Sequence, residues 1–121
     1  MENYECIDLQ NVERVSVVKF KDNRVMDPAR IEKLGQELMA LVDDVDNDNL
    51  LINFENVKFF SSAAINKLIV LEKRVRANGG KIRLSNLRPE VRDLFSYTHL
   101  DSIFKIDEAQ AESLKSFASD R

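Results

Sequence analysis

The stretch Val57-Lys-Phe-Phe-Ser-Ser-Ala-Ala-Ile-Asn-Lys-Leu-Ile-Val70 decides how this chain is read. A run of strand-like residues ends in two aromatics, Phe59 and Phe60. Two serines and two alanines follow. From Ala64 onward apolar residues recur at Leu68, Leu71 and Val75, with Ile65 and Ile69 beside them, which is the period of a helix. A strand therefore turns into a helix at Ser61-Ser62. A hydroxyl at that point has two uses. It can cap the free N–H groups of the first turn, worth about 1 kcal/mol. It can also carry a phosphate, which the positive end of a helix tolerates and which adds about −1.5 to −2 charges. The residues alone leave both uses open.

Outward from this turn, the helix stops at Asn78-Gly79-Gly80, a C-terminal signal. Lys81-Ile-Arg-Leu-Ser85 reads as a strand. Pro89 opens a third helix with Val91, Leu94 and Phe95 inward. Ser102 to Ile106 reads as a last strand, and Asp107 as the cap of a final helix through Leu114 and Phe117. On the other side, Leu50 to Phe54 is a short apolar run suited to a buried central strand. Before it, Asp27-Pro28 starts a helix whose face is Ile31, Leu34, Leu38, Leu41 and Val42. Gly35 within that face allows close packing. Tyr4–Gln10 and Val15–Lys21 read as strands of an antiparallel hairpin joined through Asn11 to Arg14. The order is β-β-α-β-α-β-α-β-α: an α/β fold with a mixed, mainly parallel sheet and about four helices.

Composition narrows the function. The 121 residues, 44% apolar and 32% charged, suit one domain spanning residues 1–121. The net charge is −3 with no basic block, which argues against nucleic acid. No apolar run approaches a membrane span, and the acidic start Met1 to Asp8 lacks the features of a signal peptide. A cytoplasmic protein is expected. The single cysteine, Cys6, reads as a buried inert thiol in a strand. His99 is the only histidine, so no catalytic triad and no zinc site is expected. Asp43, Asp44, Asp46 and Asp48 lack the glycine of a calcium loop and read as a solvated turn. No enzyme activity, metal or cofactor is expected.

The pieces together resemble the STAS domain family (sulfate transporter and anti-sigma factor antagonist) in its stand-alone bacterial form. The family carries F-[LMI]-D-S-[ST]-G-L at the start of its second helix, matched here by Phe59-Phe60-Ser61-Ser62-Ala63-Ala64-Ile65. A G-G-x-[LIV] pattern falls at Gly79 to Ile82, P-x-V-x-x-[LIV]-[FL] at Pro89 to Phe95, and T-G-L-D at Thr98 to Asp101. The acidic residue before the first helix is Asp27. The resemblance implies an anti-sigma factor antagonist, a binding module for transcription regulation. Its serine, Ser62 here, is phosphorylated by a partner kinase of the GHKL type that is also the anti-sigma factor, and a phosphatase resets it. The implied partner surface comprises Arg24, Asp27, Asn56, Lys58, Phe60, Ser61, Ser62 and Ala63. The resemblance also admits a phosphorylation-independent subunit of a sensory scaffold, with the domain forming a homodimer or larger array, and a cytosolic partner of a lipid or anion transporter. The chain departs from the pattern at Ser61 for aspartate, Ala63 for the second hydroxyl, and Ala64 and His99 for glycines.

Overall fold

The structure, a computed structural model, describes residues 4–44 and 49–119. Strands β1 (Ile7–Val12) and β2 (Val15–Phe20) form the expected hairpin. Its two linking residues, Glu13 and Arg14, have φ of 52° and 69°, the geometry of the two-residue turn that matches strand twist. β3 (Arg24–Val25) leads to helix α1 (Pro28–Asp44), then β4 (Asn49–Asn53), β5 (Phe59–Phe60), α2 (Ser62–Ala77) and β6 (Lys81–Ser85). Helix α3 (Pro89–Tyr97), a 3-10 turn (Leu100–Ser102), β7 (Lys105–Asp107) and α4 (Gln110–Ser119) complete the order.

The main sheet runs β1-β2-β4-β6-β7, with only the hairpin antiparallel. Strand alternation divides its side chains between two faces. Val18, Phe20, Leu50, Ile52, Ile82 and Leu84 pack against α1, α2 and α3. Val15, Val17 and Leu51 face the other way, onto Phe117 of α4. On the first face Phe20, Phe54, Phe60, Phe95 and Phe104 form a chain of rings with centroids 5.0 to 6.4 Å apart, mostly edge-to-face, the arrangement ring quadrupoles favour.

Helices α1 and α2 pack closely at Gly35, where an added Cβ would lie 2.8 Å from Lys67 Cδ. The same lysine reaches Glu32 at 2.9 Å. At the end of α2, Gly79 takes φ +79°. Its N–H donates to the Arg76 carbonyl and that of Gly80 to the Val75 carbonyl, the paired bonds of a Schellman motif.

Several expectations shift. β1 starts at Ile7 rather than Tyr4 and continues to Val12. Cys6 lies just before it, buried all the same, at 3% exposure. Burial, then the Glu37 carboxylate, pushes the Cys6 thiol up. Glu37 binds this entry segment from α1, accepting from the Glu5 and Cys6 N–H groups at 2.7 and 2.8 Å. The last strand begins at Lys105, because the chain around Leu100 closes into a 3-10 turn whose preceding residue, His99, is left-handed at φ 59°. Asp107 is a strand residue, not a helix cap. Its carboxylate accepts from Arg83 at 2.8 and 3.1 Å and from the Ser113 hydroxyl at 2.6 Å. The Arg83 hydrogen bond, against the opposing effect of burial, holds that carboxyl below the usual range. Asp43 and Asp44 end α1 exposed to solvent. Asp46 and Asp48 lie outside the described residues, as do Met1 to Asn3 and the terminal Asp120 and Arg121.

Candidate functional site

A second sheet that the sequence reading missed builds the turn at Ser61-Ser62. β3 and β5 pair in parallel, Arg24 beside Phe59 and Val25 beside Phe60. The run ending in Phe59 and Phe60 is strand-like in sequence, but the two residues of β3 are too short to show a strand period, so no local pattern announces the pairing. The Asn23 carbonyl accepts from the N–H groups of Lys58 (2.8 Å) and Phe59 (3.2 Å), and the Val25 carbonyl accepts from Ser61 (3.1 Å). Asn56 ties the same loop to the end of β2, its amide donating to the Phe20 carbonyl at 3.1 Å. The chain therefore enters α2 on a fixed path.

The two serines separate at this point. Ser61 has extended backbone, φ −84° and ψ 164°, and its hydroxyl accepts from the Ala64 N–H at 3.2 Å. It is the N-cap, and an aspartate at the same position could make the same bond. Ser62 is the first residue of α2 and is exposed. No hydrogen bond engages its side chain among the described residues. Ala63 is exposed beside it, whereas Ala64 is fully buried against the core. The small residue at that position thus serves packing. The Ser62 hydroxyl lies in the first turn, where free N–H groups and the helix dipole favour added negative charge.

Around this turn, β5 sends its two aromatics opposite ways, as strand alternation requires. Phe60, expected on the partner surface, is only 7% exposed and packs on Phe20, Phe54 and Phe95. This corrects the expectation: the ring offered to solvent is Phe59, 47% exposed. The guanidinium of Arg24 lies 4.5 Å from its centroid, a cation–π contact worth about 0.5–1 kcal/mol at an exposed site. Met26, 49% exposed, adds a second apolar group directly after β3, the strand paired with β5. The sequence reading passed over it, and nothing local to the chain distinguishes Phe59 from Phe60. Asp27 is exposed but occupied: its carboxylate caps α1, accepting from the Arg30 N–H at 2.9 Å.

Arg24, Asn56 and Lys58 meet beside this ribbon, in an open basin of about 740 Å³ that Lys21, Asp22, Asn23, Glu55 and Arg88 also line. Arg88, which directly precedes α3, escaped the sequence reading because nothing near it in the chain links it to the loop around Asn56. His99 sits at the 3-10 turn after α3, and no nucleophile–base hydrogen bond links it to either serine. Among the described residues no cluster of three or more histidine, cysteine, aspartate or glutamate side chains could hold a metal ion. No described helix is long and apolar enough to cross a membrane.

Comparison with known proteins agrees with this architecture. The family model of the STAS domain matches residues 7–113. BtrV of Bordetella bronchiseptica, whose name gives it provisionally as an anti-sigma factor antagonist, is 27% identical over 93 residues, 77% of this chain and 79% of that protein. The solved structure of an anti-sigma-factor antagonist (STAS) domain protein from Planctomyces limnophilus superposes with a TM-score of 0.83 at 23% identity, covering 93% of this chain and 97% of that one. The Bacillus cell fate determinant SpoIIAA in its phosphorylated form superposes with a TM-score of 0.69 at 17% identity, covering 95% and 99%.

Proposed function

The chain belongs to the STAS domain family, and from that premise we propose that it is an anti-sigma factor antagonist switched by phosphorylation of Ser62. In this reading the unmodified protein docks on an anti-sigma factor of the GHKL serine-kinase type. It does so through the start of α2 and the exposed ribbon beside it. The contact surface is Ser62, Ala63, Phe59 and Met26, flanked by Arg24, Asn56 and Lys58, with Asp27 at the neighbouring helix start. The kinase phosphorylates Ser62, the complex separates, and a phosphatase restores the hydroxyl.

The observation that carries this reading is the division of labour between the serines. Ser61 performs the structural task by capping α2 through Ala64. Ser62 is left exposed, without a side-chain bond that its modification would break. A phosphate there would meet the positive end of α2 and leave the domain folded. In a closed protein interface the same dianion would need partners or cost several kcal/mol, enough to turn tight binding into weak binding. The departure from the family pattern at Ser61 leaves the capping bond in place. That a relative of this fold, SpoIIAA, is described in a phosphorylated form supports the same chemistry.

Phosphopeptide mass spectrometry on the protein isolated from its own cells, stressed and unstressed, tests the proposal. Phosphate on Ser62 whose occupancy changes with condition is expected. Absence of phosphate at Ser62 under every condition would overturn the switch and leave a constitutive binding module.

A further inference from the structure

The basin beside the ribbon is more basic than its lining suggests. It carries four cations, Lys21, Arg24, Lys58 and Arg88, and two carboxylates, Asp22 and Glu55. Both carboxylates are already matched by cations outside the basin. Lys19 lies 2.5 Å from Glu55, and Arg30 lies 2.8 Å from Asp22. Lys21 is held by the Tyr4 carbonyl at 2.6 Å and lies 3.9 Å from the Asp8 carboxylate. No carboxylate among the described residues pairs with Arg24, Lys58 or Arg88. The three unmatched cations line the same basin. The protein as a whole carries a net charge of −3, so this concentration of positive charge runs against the average.

We propose that this basin receives an acidic segment of the protein partner, two or more carboxylates spaced along a chain. The inference rests on the reading that the partner is a protein docked at the start of α2, and it names the chemistry of that partner's rim. Three features choose this occupant. The basin is continuous with the proposed interface, because Lys58 directly precedes β5 and Arg24 lies in β3. A phosphate cradle needs convergent backbone N–H groups, and most of those between Phe54 and Phe59 are spent within the protein. The N–H groups of Phe54, Val57, Lys58 and Phe59 donate to backbone carbonyls, and that of Glu55 to the Asn53 side chain. Pro89 after Arg88 has none to give. Side-chain cations held on separate segments around an open surface suit carboxylates spread along a chain. Nucleic acid would have to approach a net-negative protein.

The test is an NMR titration of the isotopically labelled protein with hexaglutamate at low salt, with inorganic phosphate as a second probe. Hexaglutamate is expected to shift the amides of Arg24, Asn56, Lys58 and Arg88 saturably, and added salt is expected to reverse it. The Lys58→Glu/Arg88→Glu variant should weaken binding by about tenfold or more. These side chains are exposed and unpaired, so its amide dispersion should stay native. A charge-matched variant, Lys73→Glu/Lys115→Glu, should keep the basin response. Diffuse shifts over all lysines and arginines, or equal loss in both variants, would overturn the proposal. So would phosphate saturating the same amides at lower concentration than hexaglutamate. None of these readouts involves Ser62 or a kinase, so failure here and failure of the phosphorylation switch are separable.

Discussion

The two ends of helix α2 are both written in small residues, yet they are finished differently. At the C-terminal end, Asn78-Gly79-Gly80 uses its backbone donors internally: Asn78, Gly79 and Gly80 all return hydrogen bonds to the last turn. At the N-terminal end, one of two hydroxyls closes the helix and the other is left over. A group that folding does not consume is free to be used by something else. The contrast separates a structural terminus from a candidate switch without reference to any partner.

Five substitutions would break or sharpen that contrast. The largest effect is expected from Ser62→Asp, which should weaken binding to the anti-sigma kinase by at least about a hundredfold, several kcal/mol of buried unpaired charge. Calorimetric titration would read this, and unchanged affinity would end the switch model. Gly79→Val comes next. At φ +79° a β-branched side chain should cost about 1–2 kcal/mol, seen in chemical denaturation with binding intact. Ser61→Ala should cost about 1 kcal/mol through loss of the cap to Ala64. Ser61→Asp should stay within about 0.5 kcal/mol of the parent, since a carboxylate caps as well and suits the helix dipole. The smallest effect is expected at Ser62→Ala, under about 0.5 kcal/mol, with persistent partner binding that the kinase cannot release. If Ser62→Ala were the more destabilising of the two alanine variants, the assignment of cap and free hydroxyl would be reversed.

A separate strain probe tests the same logic at another terminus. His99 holds φ 59° at the position where the family pattern has glycine. His99→Gly should therefore be neutral or stabilising by up to about 1 kcal/mol in thermal unfolding, the relief of a left-handed side-chain residue offsetting the added freedom of the unfolded chain.

Much of the fold was legible because its signals are local. Val15 to Phe20 and Leu50 to Phe54 are apolar and β-branched enough to be strands. Ile31 to Leu41 and Ala64 to Val75 keep a helical period. Asp27-Pro28 and Gly79-Gly80 mark where helices begin and end. The misses share a different origin. The 3-10 turn after His99 delays β7 to Lys105 and turns Asp107 from a presumed cap into the partner of Arg83 and Ser113. The Arg83 contact joins residues far apart in the chain. At the site, Ser61-Ser62 could be located at a helix start, but the residues could not be assigned their separate tasks.

The sequence by itself determined the alternation of strands and helices, the place where α2 begins and the presence of two hydroxyls there, because period, capping and turn chemistry act over a few residues. Tertiary structure alone decided which serine is spent and which aromatic faces solvent. It also decided which cations gather in one basin. The path into α2 and the outward face of Phe59 depend on β3 pairing with β5 across more than thirty residues of chain, and the basin depends on Arg88 being brought beside that pair, arrangements that no local pattern encodes.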